Sequence, residues 1–198
     1  MLSIAAIVTG YLLGSISFSY LYGKLFKGID IRNHGSGNAG ATNTLRVLGK
    51  GPAILVLALD VLKAIFAVWI GKWLQQDELW IPVLCGVAAI IGHNWPIFFG
   101  FRGGKGIATT IGVMATLCFL PTLYAGLIAI LAIVITRYVS LGSLLFTGLI
   151  PFFIWGMDRP MPYLTASIVI CLFAFLRHRS NIMKLLQGKE NKLGSKKA

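Results

Sequence analysis

Acidic side chains are scarce: six Asp and Glu stand against eighteen Lys and Arg, a formal charge of +12 on 198 residues. No cluster of carboxylates is available to hold a metal, and the three histidines, at 34, 93 and 178, are far apart in sequence. No metal or other cofactor is therefore expected. The three cysteines, Cys85, Cys118 and Cys171, are odd in number, lie in apolar stretches and lack metal-ligand spacing, so they read as small buried hydrophobes. A basic segment before the first apolar run is missing too, since the first charged side chain is Lys24. Ala5-Ala6 offers no credible cleavage site, and the opening run reads as a retained span. With 57% hydrophobic residues and mean hydropathy +0.80, the composition is not that of a soluble domain. No soluble basic fold surrounds the charges, which excludes nucleic acid and leaves anionic membrane lipid and anionic substrates as partners.

What the chain does have is a series of apolar runs long enough to cross a bilayer. Spans are expected at Leu2 to Tyr22, Pro52 to Trp69, Leu79 to Gly92, 105–119, 121–136, Leu141 to Gly156 and Tyr163 to Leu176. The 30 uncharged residues from Ile107 to Thr136, with Pro121 near the middle, are divided in two on charge parity. The segments 24–50, 102–105, 137 and 177–198 then share one side with fifteen of the Lys and Arg, while Lys72 and Arg159 lie opposite. By the positive-inside rule the N-terminus is outside and the C-terminus cytoplasmic. The expected fold is all-α: a polytopic integral membrane helix bundle of about seven transmembrane helices. Residues 1–188 form a single catalytic domain and 189–198 a flexible basic tail. Gln75, Gln76, Asp77 and Glu78 form a short polar loop.

Three polar stretches fall on the cytoplasmic side of this arrangement. Gly35-Ser-Gly-Asn-Ala-Gly-Ala-Thr-Asn-Thr-Leu-Arg46 offers glycine-loop N–H groups, side-chain donors and a cation, a combination suited to phosphate as well as to a plain polar turn. Its end, Asn43 to Gly49, reads as a short helix. Helix breaking is predicted at His93-Asn-Trp-Pro96, after which Arg102-Gly-Gly-Lys-Gly106 opens the next span. The spacing there is not that of a P-loop. In the third stretch, Arg177 to Gly188, an amphipathic interfacial helix accounts for the charges but not for His178 and Asn181 at i,i+3. Within the second span Asp60 and Lys63, also i,i+3, must pair and face inward, either bracing the bundle or lining the site. Ser143 lies near the same face. Head-group phosphate at the loops with an acyl chain between helices fits this collection.

The first stretch, the block Gly92-His-Asn-Trp-Pro-Ile-Phe-Phe-Gly-Phe-Arg-Gly-Gly-Lys-Gly-Ile-Ala-Thr109 and His178-Arg-Ser-Asn-Ile-Met-Lys184 resemble the three cytoplasmic motifs of the bacterial acyl-phosphate-dependent glycerol-3-phosphate acyltransferase family, and the apolar pattern resembles it along nearly the whole chain. Two positions depart from the pattern: Trp95 replaces a common phenylalanine, and Lys184 a usual arginine. The resemblance implies an inner-membrane enzyme of phospholipid biosynthesis that moves a fatty acyl group from acyl-phosphate to the sn-1 hydroxyl of glycerol 3-phosphate, giving lysophosphatidic acid. It implies catalytic contributions from Ser36, Arg46, Lys105, His178 and Asn181. It also implies substrate and phosphate contacts at Gly37, Asn38, Gly40, Gly103 and Gly104, and Thr42, Asn43, Arg102 and Ser143 are expected to join them on residue type and position.

Acyl-phosphate is a mixed anhydride, so no acyl-enzyme is required; Ser36 has no orienting acid and base, and His178 is read either as a phosphate ligand or as a base. The His-x4-Asp arrangement of soluble and peripheral acyltransferases is absent, because the positions where its Asp would stand are Ala39, Phe98 and Met183. The alternative is a small transporter for an anionic phosphorylated metabolite, against which stand the gathering of polar groups at one face and the absence of a clear inverted repeat. A lipid-binding structural protein would leave the glycine motifs without a role.

Overall fold

Two glycines decide how the first helix packs. In the computed structural model, which describes residues 1–74 and 78–194, α1 (Leu2–Gly14) lies against α5 (Trp80–Asn94) with backbones in contact. A Cβ on Gly10 would come 2.6 Å from the Cys85 carbonyl oxygen, and one on Gly14 would overlap that of Ala89. Gly92 returns the contact against Tyr11. Small residues are what let membrane helices approach this closely. The polar residues 75–77 of the expected loop lie outside the described residues.

The chain forms two compact units, 1–117 and 118–198. In the first, α4 (Lys50–Leu74) packs on α1, α5 and α6 (Ile107–Leu117), and carries α3 (Ala41–Leu48) near its start. The second contains α7 (Phe119–Thr136), α8 (Val139–Gly156), α9 (Met161–Arg177) and α10 (Arg179–Leu186), with α8 contacting each of the other three. The result is an all-α membrane helix bundle. Among the described residues four helices are long and apolar enough to cross a membrane, or up to six if each bent helix pair is one span.

Several boundaries differ from the sequence expectation. The first span is not one helix: it ends at Gly14, and α2 (Phe18–Lys27) continues after a 40° bend. Ser15, Ile16 and Ser17 form the break without a proline. The run from 107 to 136 does divide into two helices, but not at Pro121. That proline sits in the first turn of α7, where its missing N–H would have no intrahelical acceptor, and the break is at Cys118. The proline after Trp95 does end α5, and Gly49, at φ +93°, does end the short helix of the first loop.

Candidate active site

Within the first loop, the polar residues first satisfy one another. Asn43 is 1% exposed; its Oδ1 accepts the Ser36 N–H at 2.8 Å, and its Nδ2 donates to the carbonyls of His34 (3.0 Å) and Ile31 (3.2 Å). This amide, expected among the phosphate contacts, closes the loop on itself. Gly35 and Gly37 take positive φ, as the turn demands, and the Gly37 N–H is spent on the His34 carbonyl. The expected anion nest at the start of this loop is thus engaged internally. Beyond it, Gly40 caps α3, whose first-turn N–H groups at Ala41 and Thr42 have no intrahelical acceptor. Ser36, Gly37 and Arg46 are exposed, Asn38 and Thr42 half-buried. The buried hydroxyls of Ser19 and Thr44, 2.8 Å apart, tie α3 to α2.

Asp30 and Arg32, which the sequence reading left among ordinary loop charges, form a clasp between this loop and the next. The guanidinium binds both carboxylate oxygens of Asp30, donates Nη1–H to the Phe99 carbonyl at 2.7 Å and lies 4.6 Å from the Tyr20 ring centre. The Arg32 hydrogen bonds hold the Asp30 carboxyl below its ordinary range, with a smaller contribution from the charge of Arg102, and the carboxylate in turn raises Arg32. The only sequence signal was a lone acid among five cations.

In the second loop a 3-10 turn at Ile97–Phe99 follows Pro96, and the glycines then fold back under α5. Gly104 donates its N–H to the His93 carbonyl at 3.0 Å; a Cβ on Gly104 would overlap the imidazole Nε2, and one on Gly103 the His93 carbonyl oxygen. Their lack of side chains is explained by this close approach, before any substrate is considered. Lys105, half-buried, stands two residues before α6, and Arg102 is exposed. Asp60 and Lys63 are buried and paired, with Lys63 Nζ 2.8 Å from Asp60 Oδ1.

In the second unit His178 sits at the 64° bend between α9 and α10 and is 3% exposed. Its Nδ1–H donates to the Ala174 carbonyl at 2.8 Å, so in the neutral ring Nε2 is the basic nitrogen. Asn181 directs its Nδ2 to both carboxylate oxygens of Glu190, at 3.0 and 3.1 Å, and Glu190 is 7% exposed. Arg137 and Leu193 exchange hydrogen bonds through backbone and guanidinium. Residues 190 and 193, in the segment read as a flexible tail, are therefore held. Ser143 is buried in α8 and donates to the Val139 carbonyl of its own helix.

The first unit thus joins two polar loops carrying Ser36, Arg46, Arg102 and Lys105, and the second fixes an imidazole and an amide one helical turn apart. Such groups can neutralise phosphate, orient a hydroxyl and accept its proton.

The chain matches the family model described as glycerol-3-phosphate acyltransferase over residues 4–188. It is similar to the glycerol-3-phosphate acyltransferase of Shouchella clausii, 55% identical over 98% of each chain, and to that of Halalkalibacterium halodurans, 56% identical over 96% of this chain and 95% of the relative. Among solved structures it is similar to the glycerol 3-phosphate form of PlsY (YgiH), an integral membrane glycerol 3-phosphate acyltransferase, with TM-score 0.92 and 39% identity over 97% of this chain and 96% of that one. The lysophosphatidic acid form of PlsY matches with TM-score 0.89 and 38% identity over 97% and 95%. With its length, helices and polar loops shared in this way, the chain belongs to the glycerol-3-phosphate acyltransferase family.

Proposed function

We propose that this protein transfers a fatty acyl group from acyl-phosphate to the sn-1 hydroxyl of glycerol 3-phosphate, producing lysophosphatidic acid and phosphate. The observation that carries this reading is that a relative 39% identical to it has been crystallised in a glycerol 3-phosphate form and a lysophosphatidic acid form, the acceptor and product of one acyl transfer. Acyl-phosphate as donor is supported by the three motifs and by the chemistry they require. The glycerol oxygen attacks the acyl carbonyl carbon, the bond from that carbon to the phosphate oxygen breaks, and phosphate leaves. The hydroxyl proton passes to His178 Nε2 or to a phosphate oxygen.

Arg46 and Lys105 neutralise the phosphate groups, the α3 N-terminus and Ser36 contribute donors, and Asn181, set by Glu190, orients the acceptor. Asn43, Gly103 and Gly104 shape the loops that present these groups. Ser143 and Arg102 remain the outer members of the proposed contact set.

Seven crossings with the N-terminus outside and the active face in the cytoplasm of an inner-membrane protein complete the reading. This count requires both bent pairs and the 11-residue α6 to cross, and it is supported by the gathering of fifteen of eighteen basic residues on one side. Cysteines placed at 120 and 158 in a cysteine-free background then label from outside; labelling of either from the cytoplasm alone overturns the count.

The activity test uses purified, detergent-solubilised protein with glycerol 3-phosphate and either acyl-phosphate or acyl-CoA, following lysophosphatidic acid. Product from acyl-phosphate is expected. Product from acyl-CoA alone overturns the donor, and no product from either overturns the function.

A further inference from the structure

Lys63 is 4% exposed, and its ammonium lies among the Ile16 carbonyl, His93, Asp60 and the Phe18 ring. Nζ donates to the Ile16 carbonyl at 2.6 Å and lies 3.1 Å from His93 Nδ1 and 2.8 Å from Asp60 Oδ1. His93 Nδ1 also lies 3.5 Å from Asp60 Oδ1, so the carboxylate, the ammonium and the imidazole form one buried cluster. These contacts run in two directions. Ile16 belongs to the proline-free break between α1 and α2, and α2 carries the Ser19 hydroxyl that holds α3. His93 supports Gly104 with both its carbonyl and its ring.

We infer that Asp60, Lys63 and His93 are positioning residues for the acyl transfer, a buried ionic network that sets the Gly103–Gly104–Lys105 turn and registers it against the α1–α2 break behind the first loop. Lys63 is the junction. Its ammonium touches the Ile16 carbonyl and the His93 ring at 2.6 and 3.1 Å, so neither the break nor His93 can move without displacing a contact. A buried pair costs desolvation that an apolar pair of the same volume would not, and retaining it is explained by a demand for one geometry. The inference rests on the acyl-transfer reading above, in which Lys105 meets a phosphate group.

Two variants separate positioning from mere stability. His93→Asn keeps an amide, able to donate or accept, near the place of Nδ1, but removes the ring edge beneath Gly104. Asp60→Asn with Lys63→Met removes both charges together, so that neither is stranded. Kinetic constants for both phosphate substrates are measured beside those of Lys105→Arg, and amide hydrogen exchange is followed at 15–19 and 103–106. The expected result is a fall in kcat/KM of about tenfold or more in each variant, the scale of a small misplacement of a binding group, concentrated in the same constant that Lys105→Arg alters. Exchange rises at 103–106 in His93→Asn and at both segments in the double variant.

Unchanged kinetic constants with only a lowered melting temperature overturn the inference, as does faster exchange confined to α4. A wild-type protein without turnover overturns the acyl-transfer reading instead, and the exchange measurements still decide whether the network holds the two segments.

Discussion

Replacing Asn43 by alanine tests whether its amide serves the loop or the substrate. The side chain makes three hydrogen bonds, to Ser36 N–H and to the carbonyls of Ile31 and His34. Ser36 and His34 are exposed and recover water, so each lost bond costs about 1 kcal/mol net. Ile31 is fully buried, and its stranded carbonyl adds roughly 1–3 kcal/mol. A total of about 3 kcal/mol at the lower end corresponds to a Tm decrease of roughly 6–12 °C for a chain of this size. Released from Asn43, Ser36 and the start of α3 drift, and kcat falls by about tenfold or more, since an ångström of misplacement costs up to about a hundredfold. The assays are thermal melting by intrinsic fluorescence in detergent and lysophosphatidic acid formation well below both melting temperatures. Asn43→Asp is worse than Asn43→Ala, because a carboxylate oxygen replaces the donor facing two carbonyls. An unchanged Tm with a raised KM for either phosphate substrate would refute this reasoning and return Asn43 to the substrate.

Gly104→Ala forces a methyl group into the His93 ring and removes at least about 90% of activity, the scale of a small misplacement of Lys105, whereas Gly51→Ala, with open space at its Cβ, leaves the same lysophosphatidic acid assay unchanged. Asp30 has a lowered pKa, held down by Arg32, so the stability supplied by their clasp is fully present above about pH 4, the unfolded value, and is lost as pH falls through the lower folded value. Melting between pH 7 and 3 therefore shows a steeper acid loss in wild type than in Asp30→Asn; parallel curves contradict the clasp. Glu190→Ala removes the acceptor that sets the Asn181 amide, and activity drops about tenfold or more with the loss largest in the glycerol 3-phosphate KM. Wild-type kinetics in that variant would show that the contact is incidental.

Local chemistry made part of this architecture legible before any coordinates. Trp95-Pro96 marked the end of α5, Gly49 the end of α3, and the i,i+3 spacing of Asp60 and Lys63 required their pairing. What escaped the sequence reading depends on partners far away in the chain. The break at Ser15 to Ser17 has no proline, and its Ile16 carbonyl is taken by Lys63, 47 positions later. Gly103 and Gly104 look the same whether a backbone approaches phosphate or histidine, and only the fold shows His93 beneath them. Asn43 is of the right type for a substrate donor, yet nothing in a linear sequence reveals that Ile31 and His34 occupy its amide first. For Glu190 the signal was weaker still: a single acid in a basic segment reads as solvated.

The spacing of Asp60 and Lys63 also bears on how the chain enters the membrane. Their i,i+3 contact lies within α4, so it can form as soon as that helix does, before α5 delivers His93. The helix then carries opposite charges that shield each other through the step at which either one alone would cost a few kcal/mol. Only afterwards does the ammonium gather its neighbours, with the Ile16 carbonyl already made and waiting and the His93 ring arriving last. A pair separated across two helices would serve the finished protein equally well but would leave each helix to insert with a bare charge. The order of synthesis thus favours both charges on one helix, one turn apart.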